Sequence, residues 1–318
     1  MQRQHSQGIP GTARTRDGRE LFFMEQPRPE PGTGTGTGTG PGSEPGPAEG
    51  GRPTVVFEGG LASTRSYWAL VQQAVAGSAR AVVYDRSGLG RSAPDPSGRR
   101  PLTRLADDLG DLLDHLGPGP FILVGHSWGG LIVRVAAAAR PERIAGLVLV
   151  DPTDEACDLL FERSVRKQEK IRLGAALLLA RLGVFGFLFR KVTAALPPDA
   201  AADMRAEAFT VAAIRTMGAE QASIEADLRA LRDHPPKLGD IPVTVISATR
   251  PTPGMSARAR KSVNESHAYR AQQSPRGRHV PALQADHMVP TAEPGIIITE
   301  IERLLDSVGG TADPLPER

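Results

Sequence analysis

The sequence predicts an α/β protein: a mostly parallel sheet flanked by helices, with a helical insertion. Three observations predict it. From Thr54 onward, short apolar runs alternate with longer amphipathic segments, the pattern of strands buried on both faces and joined by crossover helices. That alternation stops after Asp151 and resumes near Val243, leaving residues 152–240 helical in character with no convincing strand. Ahead of the break, Gly125-His-Ser-Trp-Gly-Gly130 sits where an apolar run meets a helical segment, so Ser127 falls on a strand-to-helix turn.

In chain order, residues 1–13 are polar and read as a disordered tail. Arg14 to Gln26 reads as a hairpin turned at Asp17-Gly18, with Leu21-Phe-Phe-Met24 in its second arm. Residues 27–53 are a Gly/Thr/Pro tract with almost nothing apolar to offset its ordering entropy, so a flexible loop is expected within the first part of the core, residues 14–151. Strands are expected at Val55 to Phe57, Ala81 to Tyr84, Phe121 to Val124, Gly146 to Val150, Val243 to Ser247 and His279 to Gln284. Helices are expected at Tyr67 to Val75, Leu102 to Leu116, Leu131 to Arg140 and Ile296 to Ser307. Residues 152–240 form the expected cap over the carboxyl ends of the strands; residues 241–308 complete the core, and 309–318 form a second disordered tail.

Composition narrows the function classes. A net charge of +2, with no basic runs interleaved with aromatics, gives no footprint for nucleic acid. A lone cysteine, Cys157, rules out an internal disulfide. The polar start lacks the apolar core of a signal peptide, so the cytoplasm is the expected location. Within the cap, Leu173 to Phe189 is strongly apolar, but it carries an arginine, is broken by glycines and is short of the roughly 20 residues a span requires. A lid over an apolar substrate pocket is expected there, with plain structural packing as the alternative. Nothing in the sequence calls for a metal or cofactor.

Four motifs then occur in one order. Val55-Val-Phe-Glu-Gly-Gly-Leu-Ala-Ser63 is a strand with a glycine loop, Val82 to Ser92 reads VVYDRSGLGRS, LVGHSWGG contains Ser127, and Ala285-Asp-His-Met-Val-Pro290 closes the series. Together they resemble the α/β-hydrolase superfamily over roughly Thr54 to Val308, with the cap matching least. The resemblance implies the α/β-hydrolase fold with a helical cap, Ser127 as nucleophile and an oxyanion hole. Its donors would be the amide of Trp128 and an amide at Gly60 or Leu61. Glu58 stands where relatives often carry histidine, and no catalytic role is expected of it.

A serine hydroxyl needs a base to take its proton. Of seven histidines, only His287 follows a strand onto a loop at the carboxyl edge of the sheet, so it is assigned the base. Many relatives carry the acid after the preceding strand, yet here that loop, Ser247 to Gly254, has no carboxylate. Some branches carry it one strand earlier, where this chain reads LVLVDPTDE; Asp151 is therefore the expected acid, with Asp154 and Glu155 as rivals. The expected function is a serine esterase acting through an acyl-enzyme on a small, apolar, ester-like molecule. An acyltransferase, amidase or lactonase, or a non-catalytic ligand-binding protein of the same fold, is the alternative.

Overall fold

The computed structural model describes residues 4–28, 52–252 and 254–309. Most of the loop expected at 27–53 lies outside the described residues, as do 1–3 and 310–318 of the expected tails. The chain builds one eight-stranded sheet from β1 (Ile9–Arg14), β2 (Glu20–Gln26), β3 (Thr54–Glu58), β4 (Ala81–Tyr84), β5 (Phe121–His126), β6 (Ile144–Val150), β7 (Val243–Ala248) and β8 (Gly277–Ala282), in spatial order β1-β2-β4-β3-β5-β6-β7-β8. β1 and β2 pair antiparallel, β2 lies antiparallel to β4, and every other pairing is parallel.

The helices between strands are α1 (Ala69–Val75), α2 (Leu102–Leu116) and α3 (Trp128–Ala139); α4 (Arg163–Arg181), α5 (Arg190–Ala195), α6 (Pro198–Glu207), α7 (Val211–Gln221) and α8 (Ile224–Asp233) fill the insertion; α9 (Ala257–Gln272), α10 (Val289–Ala292) and α11 (Pro294–Gly309) follow it. Side chains alternate between sheet faces, as the two-residue period of a strand requires. Phe121 and Leu123 of β5 join a core with α2 and α3, while Ile122 and Val124 join a second core with α1 and α11. Both faces are therefore covered, which is why the strands read as unbroken apolar runs. A third, smaller cluster packs Leu196, Ala200 and Met204 of the insertion against Tyr67.

Three expectations require correction. The disordered tail placed at 1–13 contains β1, whose Ala13 pairs with Leu21 across the hairpin. Ahead of β1, Gln7 is fully buried, its amide nitrogen donating to the Arg65 carbonyl and to Gln72. Polar composition concealed this segment because side-chain hydrogen bonds, not apolar residues, fix it. α3 begins at Trp128 and not at Leu131: Gly129 and Gly130 are weak helix formers, but both are held in its buried first turn. β8 runs two residues earlier than expected, ending at Ala282.

Candidate active site

Ser127 stands between β5 and α3 with φ 54° and ψ −120°, a backbone conformation that L residues rarely adopt. Its neighbours make that turn possible. A Cβ on Gly125 would come within 2.5 Å of the Gly129 carbonyl oxygen, and one on Gly129 within 2.6 Å of the Glu58 and Gly59 oxygens. Larger residues would separate the elbow from the β3 loop. The bend projects the Ser127 hydroxyl above the carboxyl edge of the sheet.

The loop after β8 brings His287 to that hydroxyl. Ser127 Oγ donates to His287 Nε2 at 3.0 Å, and His287 Nδ1 donates to Asp151 Oδ2 at 2.6 Å. Asp151 follows β6 and has a φ of 40°. Its other oxygen, Oδ1, accepts from the Ala248 amide at 3.0 Å and from Arg260 Nη1 at 2.7 Å. Burial opposes ionisation of Asp151, but the hydrogen bond from His287 and the positive field of Arg260 outweigh it and hold the carboxyl far below the usual range. The rivals lie elsewhere. Asp154 is bound by Arg270 at 2.7 Å, and Glu155 by Arg134 through two contacts of 2.7 Å, so both belong to a buried ion cluster away from His287.

The β3 loop is held by Arg86. Its guanidinium donates to the Gly59 and Gly60 carbonyl oxygens, both at 2.7 Å, to Glu58 Oε1 at 2.5 Å and to Glu220 of α7. In a trans peptide the N–H points opposite to the C=O, so drawing these two carbonyls toward Arg86 turns the Gly60 and Leu61 amides to the other side. Gly60 itself abuts Ser127: a Cβ there would lie 3.1 Å from the Ser127 Cβ. The Trp128 amide, at the first turn of α3, has no helical acceptor. Beside Arg86, Asp85 accepts from Arg65 and from the Arg91 amide, while Arg86 reaches Glu220 of α7.

Above Ser127 lies a cavity of about 260 Å³, bordered by Leu61, Tyr67, Ile214 and Met217 and roofed by Phe185, Phe189 and Phe209. The three phenylalanines pack on one another, with Phe189 and Phe209 stacked at 5.3 Å between ring centres. Its lining is mostly apolar, with Ser63, Thr64, His126, Ser127 and His287 contributing polar side chains.

Residues 53–290 match the family model described as alpha/beta hydrolase fold. The chain belongs to the α/β-hydrolase family. A protein of Rhizobium rhizogenes (strain K84) provisionally named carbamate hydrolase RutD is 35% identical over 103 residues, which span 32% of this chain and 39% of that protein. An esterase from Thermogutta terrifontis, solved with malate bound, superposes with a TM-score of 0.66 at 20% identity, covering 95% of this chain and all of the other. The epoxide hydrolase CorEH superposes with a TM-score of 0.68 at 17% identity, covering 94% and 99% of the two chains. At these identities the structural likeness is one of fold.

Two residues of this α/β-hydrolase site escaped the sequence reading. Arg260 and His267, both on α9, are buried against Asp151. α9 is mostly polar and its few apolar residues are small or scattered, so its sequence does not mark Arg260 and His267 as inward-facing. His267 Nε2 donates to the Pro152 carbonyl at 2.7 Å and Nδ1 lies 2.8 Å from Ser247 Oγ, while burial holds the ring's pKa below the usual imidazole value.

His126, beside Ser127, is also buried. Its Nε2 donates to the His287 carbonyl at 2.8 Å and its ring lies 4.7 Å from that of His287. Burial, followed by the adjacent His287, lowers its pKa from 6.5 to about 3. The unfolded chain thus binds a proton that the native state refuses, and stability falls as pH drops below about 6.5, until the native ring also protonates near pH 3. At pH 5 this one group is expected to cost about 2 kcal/mol, at roughly 1.4 kcal/mol per unit. Urea unfolding at pH 7 and pH 5 measures it. The loss should be smaller in His126→Gln; an equal loss in both proteins would refute the assignment.

Proposed function

We propose that this chain is a serine hydrolase that cleaves carboxylic esters with a compact apolar group, through an acyl-enzyme. The observation that carries the reading is His287, bonded on one side to Ser127 Oγ and on the other to Asp151. Ser127 Oγ attacks the ester carbonyl as His287 Nε2 takes its proton, and Asp151 stabilises the imidazolium. The oxyanion is met by the amide of Trp128 and that of Gly60 or Leu61. Collapse expels the alcohol, which takes the proton from His287. Water then attacks the acyl-enzyme while giving a proton to His287, and that proton returns to Ser127 Oγ as the acid leaves. Epoxide opening in this fold would require a carboxylate at the nucleophile position, where this chain has serine. The triad does not set the leaving group, so the ester preference rests on the largely apolar cavity over Ser127.

A series of p-nitrophenyl esters tests the reading. With room for an apolar group above Ser127, kcat/KM should rise from acetyl toward hexanoyl by up to about fourfold per methylene, the equivalent of about 0.8 kcal/mol, and stop rising once the cavity is full. Highest activity on acetate would contradict the apolar pocket.

A further inference from the structure

The outer face of the cap has no use in the chemistry above. Of the 19 residues of α4, only Ala176 is buried. Residues 163, 167, 170, 174, 178 and 182 follow one another at three- and four-residue steps, Ile171 lies four after Lys167, and all are exposed, so they form one stripe along the helix. The stripe begins cationic, with Arg163, Lys167 and Lys170, and ends apolar. Ile171, Leu178, Leu182, Val184, Phe187 and Leu188 are between 48% and 66% exposed, values that large apolar side chains rarely reach together on one surface. Residues 163–191 contain eight Lys or Arg and one acid, Glu169. Among the described residues only Arg166 of these eight has an ion-pair partner, with Glu169 and Glu225.

From this face we infer a docking surface for an anionic lipid bilayer. A bilayer surface offers both things the face lacks: an acyl boundary for the six apolar side chains and anionic headgroups for the unpaired cations. A second copy of the chain would cover the apolar residues but set the unpaired cations of the stripe, Arg163, Lys167 and Lys170, near like charges. No single helix among the described residues is long and apolar enough to cross a membrane; α4 and the segment Phe185–Ala195 reach that length and composition only together, and they meet at a bend of 112°, a shape that suits a face laid along a bilayer. The turn at Phe185–Phe189 carries Phe187 and Leu188 outward and Phe185 and Phe189 into the cavity, which sets the cavity roof against the lipid.

The inference does not depend on the reaction at Ser127, so flotation with vesicles is performed on Ser127→Ala. The protein should float with vesicles of phosphatidylcholine and phosphatidylglycerol, should stay behind with phosphatidylcholine alone, and should be released by high salt as the charges are screened. Phe187→Glu combined with Leu188→Glu should weaken vesicle binding by about tenfold or more while leaving the melting temperature unchanged, because both positions are exposed. Lys167→Glu with Lys170→Glu should abolish the preference for phosphatidylglycerol. Absence of flotation with anionic vesicles overturns the inference, as does equal flotation of the variants. A salt-resistant dimer that the Phe187/Leu188 variant dissociates, with no vesicle binding, would also overturn it and make the face a self-association surface.

Discussion

Asp151→Asn is expected to lower kcat/KM on a carboxylic ester by about 10⁴ while the protein stays folded. The asparagine keeps the shape of the side chain but removes the charge that steadies an imidazolium. It also presents an amide in place of an acceptor, which favours the wrong tautomer of His287. Arg260 and the Ala248 amide both point at Oδ1 and are donors, so they will select the amide oxygen and leave the NH₂ facing His287. Asp154→Asn and Glu155→Gln should behave differently. Each removes one negative charge from the buried cluster of Asp154 and Glu155 with Arg134 and Arg270, so stability should fall while the folded fraction keeps its rate within about tenfold. Steady-state kinetics with urea titrations of the three variants measure both effects. A rate loss of several orders in Asp154→Asn or Glu155→Gln, with Asp151→Asn spared, would reassign the acid.

Arg86→Met should cost about 3–5 kcal/mol of stability, the loss expected when one partner is removed from a buried ion network. The two glutamates it leaves, Glu58 and Glu220, are 1% and 0% exposed. Burial already pushes the Glu58 carboxyl up, against the opposing charge of Arg86 and the hydrogen bond from Tyr84, so the change strands a group costly to ionise. The same substitution frees the Gly59 and Gly60 carbonyls, so kcat should fall as the amides opposite them lose their fixed direction. Adding Glu58→Gln and Glu220→Gln should recover part of the stability, because deleting a whole buried network costs less than deleting half of it. Urea midpoints measure this. A loss under about 1 kcal/mol would mean that water reaches the network.

What the sequence made legible is what short spacings determine. Ser127 was marked by glycines two residues away on either side, and its strand and helix by local period. The carboxylate was harder. The loop after β7 has no acid, and in the structure it contributes the Ala248 amide to an acid that sits one strand earlier. Only the resemblance favoured Asp151 over Asp154 and Glu155; the residues that separate the three, Arg134 and Arg270 on the other two, lie far off in the chain. Arg260 lies 109 residues from Asp151, and Arg86 lies 134 from Glu220. Such pairings leave no periodic trace, and neither does a polar segment such as Gln7 held by hydrogen bonds. The hydrophobic pattern therefore revealed the sheet and the position of the site, while the charges that steady it emerged only in three dimensions.

The central claim is that Ser127 is a nucleophile activated by His287. Intact-mass measurement after exposure to a fluorophosphonate tests it most directly, because that reagent traps an activated serine without requiring the right substrate. One adduct per chain is expected on the wild type, none on Ser127→Ala, and labelling slowed by orders of magnitude on His287→Gln. A folded wild type that takes no label, or a Ser127→Ala protein that takes it as fast, would contradict the account.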